Sequence, residues 1–331
     1  MKNKNDLGKI TQKVIEFIKT KRINLIPLYI FCRKFADVLT EDEVIEYLAE
    51  YYIIKPFLKQ FFNESVINNN QLTQDTERFI HVLALQDSIT DEDRDFITNY
   101  EIKEEKILFF ESYLGLVNKA KHDKNGVVFT PTEIIDFLIK SCEHIMKTEF
   151  NSSLDSDDVA ICDPFTGIAP FITSLSNYVS KEHFLNNVCC NELMLFSYYI
   201  ATLNIENTYF EKYREYRQFA NISLSDTFRV YENENENEGL KEKFNNVRLT
   251  EKKNNSPRGG IIAFITNGSF IDAKALSGFR ISLEQEFDKI YIVNLRGNSR
   301  TRGDLNKREG ENIFKNGCRT TVVLTILVKR F

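Results

Sequence analysis

Asp163-Pro164-Phe165-Thr166-Gly167-Ile168-Ala169-Pro170-Phe171 follows directly on the apolar run Val159 to Cys162 and leads into a helical pattern. A short apolar run, a tight turn with one glycine and then a helix is the order of a parallel strand feeding a crossover helix. Such a turn sets backbone amides beside a ligand at the carboxyl edge of the sheet. The glycine permits close approach. One glycine is weak evidence, because an ordinary strand-to-helix turn looks the same.

The rhythm repeats downstream. Apolar runs at Asn187 to Cys190, Ile222 to Leu224, Ile261 to Ile265, Ile290 to Leu295 and Thr321 to Val328 alternate with helical patterns, which predicts an α/β domain with a parallel sheet. The second run ends in Asn191-Glu192 and the third in Ser225-Asp226-Thr227-Phe228. A carboxylate at the first position suits the two hydroxyls of a ribose. Asp226 suits an exocyclic amine, and Phe228 offers a stacking face. Taken singly, Glu192 and Asp226 read more readily as helix caps. Three polar strand ends in register point instead to one nucleoside-sized ligand.

Upstream, residues 1–122 read as an all-α domain preceding the α/β domain at 123–331. Leu7, Ile10, Val14, Phe17 and Ile18 recur at helical spacing, as do Val44, Ile45, Leu48 and Tyr51. Thr40 to Glu43 carries a capping box, and Thr130-Pro131-Thr132-Glu133 a second one with proline at the first helical position. Asn68-Asn69-Asn70 and Asp91-Glu92-Asp93 read as turns between helices. The Glu/Asn repeat within the stretch at about 231–258 reads as a solvated loop.

A formal net charge of −5 gives no global attraction to polyanions, so nucleic-acid contact needs a local basic patch. Arg296, Arg300, Arg302, Lys307 and Arg308 form one, and it reads equally as a phosphate-binding loop or a solvated one. No run approaches the roughly 18 to 20 apolar residues that span a bilayer. The N-terminus lacks a signal core, so a cytoplasmic location is expected. The six cysteines lack C-x-x-C spacing and read as buried thiols, and the four histidines lack metal-ligand spacing. The turn after Asp163 lacks G-x-G-x-x-G, against a nicotinamide-dependent oxidoreductase, and no G-x-x-x-x-G-K-[ST] motif supports a motor.

Taken together, these motifs resemble adenine-N6 DNA methyltransferases dependent on S-adenosylmethionine. Gly126-Val127-Val128-Phe129-Thr130-Pro131 is similar to the segment ahead of their cofactor loop, Asp163 to Gly167 to the loop itself, and Asn191-Glu192-Leu193-Met194 to their ribose-binding strand end. Ser197 to Ala201 and Asn204-Ile205-Glu206 resemble the helix that follows, and Leu224 to Phe228 the strand whose acid meets the adenine of the cofactor. Ile53-Ile54-Lys55-Pro56, Ile265 to Ile271 and Asn294 to Asn298 resemble a narrower branch. In that branch, type I-like restriction-modification enzymes fuse nuclease, translocase and methyltransferase in one polypeptide. The resemblance implies a Rossmann-like methyltransferase sheet with S-adenosylmethionine held by Phe129, Thr130, Asp163, Phe165, Gly167, Glu192, Asp226 and Phe228. It implies double-stranded DNA as the partner.

The sequence departs from that family in one decisive respect. The Asn-Pro-Pro-Tyr tetrapeptide, whose acceptors and aromatic ring orient a flipped adenine, is absent. The six prolines stand at 27, 56, 131, 164, 170 and 257, none adjacent and none after Asn. No catalytic residue is therefore assigned, and the central fourth strand that carries the tetrapeptide is expected to be missing. Ala169 replaces the usual second glycine of the cofactor loop, and Pro170 follows it, which puts affinity for S-adenosylmethionine in doubt. No target-recognition region is expected after Phe331. The expectation is a methyltransferase-like protein incomplete or inactive as a single chain, with companion polypeptides supplying recognition and the missing segment. The alternative is a non-catalytic subunit or remnant that binds S-adenosylmethionine or DNA.

Overall fold

All six apolar runs form strands in the computed structural model, which describes residues 2–20, 39–120, 130–227, 259–297, 313–314 and 320–330. They are β1 (Ile161–Asp163), β2 (Val188–Glu192), β3 (Ile222–Leu224), β4 (Gly259–Asn267), β5 (Lys289–Asn294) and β6 (Val322–Arg330). β1, β2 and β3 form a parallel sheet in that order, with Asp163 beside Cys190 and Glu192 beside Leu224. The other three form a second sheet in the order β4-β6-β5. β6 runs antiparallel to both neighbours, against the expectation of parallel strands throughout. The reason for the misreading is burial. Val322 to Val328 are all buried, and a strand covered on both faces reads as one apolar run whichever way its neighbours point. The stretch expected to lack the central strand, residues 228–258, lies outside the described residues.

The chain divides into two compact units: residues 1–129 with 160–246, and residues 130–159 with 247–331. The boundary expected near residue 122 falls among residues outside the described set. The helical N-terminal region belongs to the first unit and comprises α1 (Lys4–Thr20), α2 (Glu41–Ile54), α3 (Leu58–Phe61), α4 (Glu64–Asn69), α5 (Gln71–Leu83), α6 (Asp91–Asn99) and α7 (Lys106–Val117). Leu7, Val14 and Ile18 of α1 are at most 1% exposed, as helical spacing requires of one apolar stripe. Thr40 caps α2 in a full box: the Glu43 amide donates to Thr40 Oγ1, and the Thr40 amide to Glu43 Oε2 at 3.0 Å. The Asp91 to Asp93 stretch, expected as a turn, is instead the first turn of α6. Thr90 and Asp93 cap it reciprocally, and three acids at a helix start complement its dipole.

Helix α11 (Leu195–Tyr213) follows β2 and is buried at every position from Leu195 to Asn207. Such a helix must satisfy its polar side chains internally. Asn70 Nδ2 donates to Thr202 Oγ1 (3.1 Å) and Glu206 Oε2 (2.9 Å), and the Asn63 amide donates to Asn207 Oδ1 (2.8 Å). Tyr199 meets Thr73 through their hydroxyls, and its ring sits edge-on to Tyr47 at 6.0 Å. The N-terminal helices are thereby stitched to the α/β half of the same unit.

In the second unit, α8 (Thr132–Phe150) starts one residue later than the second expected capping box requires. Pro131 is the N-cap and makes no side-chain cap bond, so Thr130 lies one position outside the helix. Glu149 near its end accepts from Lys289 Nζ at 2.6 Å. Phe270 on α12 (Ser269–Asp272) and Leu283 on α13 (Ser277–Glu286) cover Val323 and Leu327 of β6. No helix among the described residues is long and apolar enough to cross a membrane.

Glu206 is 2% exposed, and burial pushes its carboxyl up to about 7 against donors from Asn70, the Phe219 amide and Tyr216. The folded state then holds a proton that the unfolded chain releases near its ordinary value. Stability contributed by this group is therefore present at low pH and lost as pH rises toward 7, at about 1.4 kcal/mol per pH unit. Urea unfolding at pH 5, 6 and 7 should show stability falling with pH, and Glu206→Gln should reduce the slope by about 1.4 kcal/mol per pH unit. Parallel profiles for the two proteins would refute the assignment.

Candidate functional site

The carboxyl ends of β1, β2 and β3 are tied into one edge by hydrogen bonds between strands. Glu192 closes β2 and is 7% exposed. Its Oε2 accepts from the Gly167 amide (2.9 Å) and its Oε1 from the Met194 amide (2.8 Å). One carboxylate thus fixes both the loop after β1 and the turn into α11. Each carboxylate oxygen has a second lone-pair direction, so capacity for hydroxyl donors remains. Burial pushes the Glu192 carboxyl up to about 7, opposed by those amides.

Asp163 ends β1. Its Oδ1 accepts from the Phe165 amide (3.2 Å), while its buried Oδ2 has no hydrogen-bond partner. Burial raises its carboxyl above the usual range, opposed by the Phe165 amide and the Thr166 hydroxyl. Asn204 Oδ1 is likewise buried without a partner. Asn204 lies on α11 and donates from Nδ2 to the Ile168 carbonyl (2.8 Å), which supports the loop from beneath. Orphaned buried acceptors and hydroxyls cost about 1–3 kcal/mol each unless something meets them.

Gly167 has φ +56°, and a Cβ built on it would meet no atom within 4 Å. The loop turns left-handed there beside open space. Ala169 is also left-handed, at φ 67°, and is fully buried. It is the N-cap of α9 (Pro170–Leu175) and holds a backbone conformation that favours glycine. Phe165 is 62% exposed on the same loop.

Asn191, 2% exposed, links β2 to β3. Its Nδ2 donates to the Ser225 carbonyl (2.8 Å) and to Thr227 Oγ1 (2.6 Å), and its Oδ1 accepts from the Ser223 and Ser225 hydroxyls. Thr227 Oγ1 donates onward to the Pro164 carbonyl (2.6 Å), and the Thr166 amide donates to the Asn191 carbonyl (2.9 Å). Asp226, half-buried, sits between Ser225 and Thr227, the two residues just beyond β3 that Asn191 holds.

Of the residues expected at a cofactor site, Asp163, Phe165, Gly167, Glu192 and Asp226 belong to these three strand ends. Thr130, half-buried, precedes α8 in the second unit. Phe129 and Phe228 lie outside the described residues. In the basic cluster Arg296 is exposed just beyond β5, with φ 62°, while Arg300, Arg302, Lys307 and Arg308 lie outside the described residues. No group of metal-binding side chains occurs among the described residues. Asn191, Asn204 and Thr227 received no role from the sequence. The one available signal was an asparagine closing an otherwise apolar strand, which must find partners once buried. A separate small opening borders Met194 and is lined by Glu43, Glu46 and Glu50 of α2.

No family model matches the chain, and no curated protein matches it. Solved structures do. The chain is similar to DrdV in a complex with DNA, at TM-score 0.76 and 24% identity over 98% of this chain and 40% of that one. It is similar to a nuclease-deletion mutant of the Type ISP restriction-modification enzyme LlaGI with a DNA substrate mimic, at TM-score 0.69 and 25% identity over 99% of this chain and 34% of that one. The ATP-dependent Type ISP enzyme LlaBIII bound to DNA gives TM-score 0.69 and 25% identity, over 99% of this chain and 28% of that one. The chain therefore spans less than half the length of these structures.

Gly167→Ala should cost only about 1–2 kcal/mol of stability, the price of a left-handed alanine, because its methyl meets no neighbour. A much larger loss in urea unfolding would mean that the space beside Gly167 is filled by protein.

Proposed function

We propose that this chain is a methyltransferase-like module of a restriction-modification system, with S-adenosylmethionine held at the ends of β1, β2 and β3. The observation that carries this reading is Glu192. A buried strand-end carboxylate bridges the amides of a left-handed glycine loop and of a helix entry, with open space beside the glycine. The residues fit the nucleoside half of the cofactor. Glu192 accepts from the ribose hydroxyls and Asp226 from the adenine amine. Phe165 and Phe228 supply ring faces, Asp163 Oδ2 is an unfilled acceptor, and Phe129 and Thr130 complete the set by resemblance. When bound, S-adenosylmethionine supplies an activated methyl group.

The acceptor of that methyl is adenine N6 in double-stranded DNA, a reading supported by the family resemblance and by restriction-modification enzymes solved with DNA or a mimic of it. Arg296, with Arg300, Arg302, Lys307 and Arg308, is assigned to the phosphates. The chain's own residues position the cofactor and leave the adenine amino group unoriented, because the tetrapeptide that does so is missing from the sequence. A companion polypeptide supplies that segment. The missing tetrapeptide equally favours a second reading, a non-catalytic subunit that binds S-adenosylmethionine or DNA.

Isothermal titration of the purified chain with S-adenosylmethionine tests the cofactor reading. Heat should be observed, and Asp163→Ala or Glu192→Ala should abolish it. Binding that survives both changes would refute the site. Ribose hydroxyls donate to the ionised form of Glu192, so Kd should rise below pH 7, by up to about tenfold per pH unit. Glu192→Gln should make it flat. With DNA and a methyl-labelled cofactor, the chain alone should transfer nothing. Transfer by the chain alone would overturn the claim of incompleteness.

A further inference from the structure

Asn191 spends its whole side-chain capacity, two donors and two acceptors, on partners at the end of β3. Its orientation is fixed, because the Ser225 carbonyl can only accept. A side chain with both amide atoms committed has one rotamer and one flip state. Asp226 follows β3, which ends at Leu224. Its two chain neighbours are held by the same side chain, Ser225 at its carbonyl by the Asn191 amide and Thr227 at the hydroxyl that Asn191 and Pro164 share. The same hydroxyl ties the segment carrying Asp226 to the loop after Asp163, so that β1 and β3, which do not neighbour each other in the sheet, are linked at their ends.

We propose that Asn191 is a positioning residue, acting through Thr227 to fix where the Asp226 carboxylate meets the adenine edge of the cofactor. The inference rests on the cofactor reading above and deepens it. The Asn191–Thr227–Pro164 relay sets discrimination between an adenine amine and an oxygen at the same ring position. A network that merely satisfied buried groups would weaken binding of any nucleoside equally.

The test measures the affinities of the full chain for S-adenosyl-L-homocysteine and S-inosyl-L-homocysteine by titration calorimetry, with melting temperatures alongside. Wild type should prefer the adenosyl ligand by tenfold or more. Thr227→Val, which keeps the shape and removes the hydroxyl, should weaken the adenosyl ligand about tenfold and bring the ratio close to one. Thr227→Ser, which keeps the hydroxyl, should restore the ratio. Asn191→Asp, which replaces both donors with acceptors, should behave like Thr227→Val and serves if that variant is poorly folded. A ratio unchanged in both variants, or an equal loss for both ligands, overturns the positioning role while leaving the cofactor site intact. Absence of binding by wild type overturns the cofactor reading, and this inference with it.

Discussion

The end of a buried parallel sheet is a place where the chain has run out of ladder partners, and every polar group there must be met by something else. In this protein Glu192 and Asn191, adjacent at the end of β2, meet most of them. One holds the amides on either side of the strand end, and the other holds the end of β3 and, through Thr227, the loop after β1. Glu192 and Asn191 alternate to opposite sides of β2, so the two networks do not compete. The loop's left-handed turns at Gly167 and Ala169 persist because these bonds over-determine them. What is left unfilled, Asp163 Oδ2 and the space beside Gly167, is what a ligand would find.

The same logic governs the first unit as a whole. Helix α11 carries Thr202, Asn204, Glu206 and Asn207 into a buried position, which is costly unless each is paired. Asn204 supports the loop after β1, while Asn70, Asn63 and Tyr216 meet the others or their neighbours. The helical N-terminal region is thus part of the support of the strand ends, since the helix behind them depends on its donors.

The second unit is built differently. β6 is paired on both sides and buried, while Ile262 on β4 is 52% exposed and Ile292 on β5 is 42% exposed. β4 is a nine-residue apolar strand with one strand neighbour among the described residues. Long apolar edges are hazards that folded proteins ordinarily blunt with charge or proline, and this one carries neither.

Periodicity and end chemistry were enough to place all six strands, the capped start of α2 and the three polar strand ends, because each depends on neighbours within a few residues. The direction of β6, the helical nature of Asp91 to Asp93 and the true start of α8 were not legible. Apolar runs carry no sign of strand direction, and a cluster of acids suits a turn and a helix start equally. Asn191 illustrates the limit best. Its identity is local, but its partners at Ser225 and Thr227 lie 34 and 36 positions away, and Pro164 lies in the loop after yet another strand. The sequence by itself determined which side chains would stand at the strand ends. Only the tertiary structure decided which of them bond to one another, because hydrogen bonds across a sheet depend on register, which no single strand encodes.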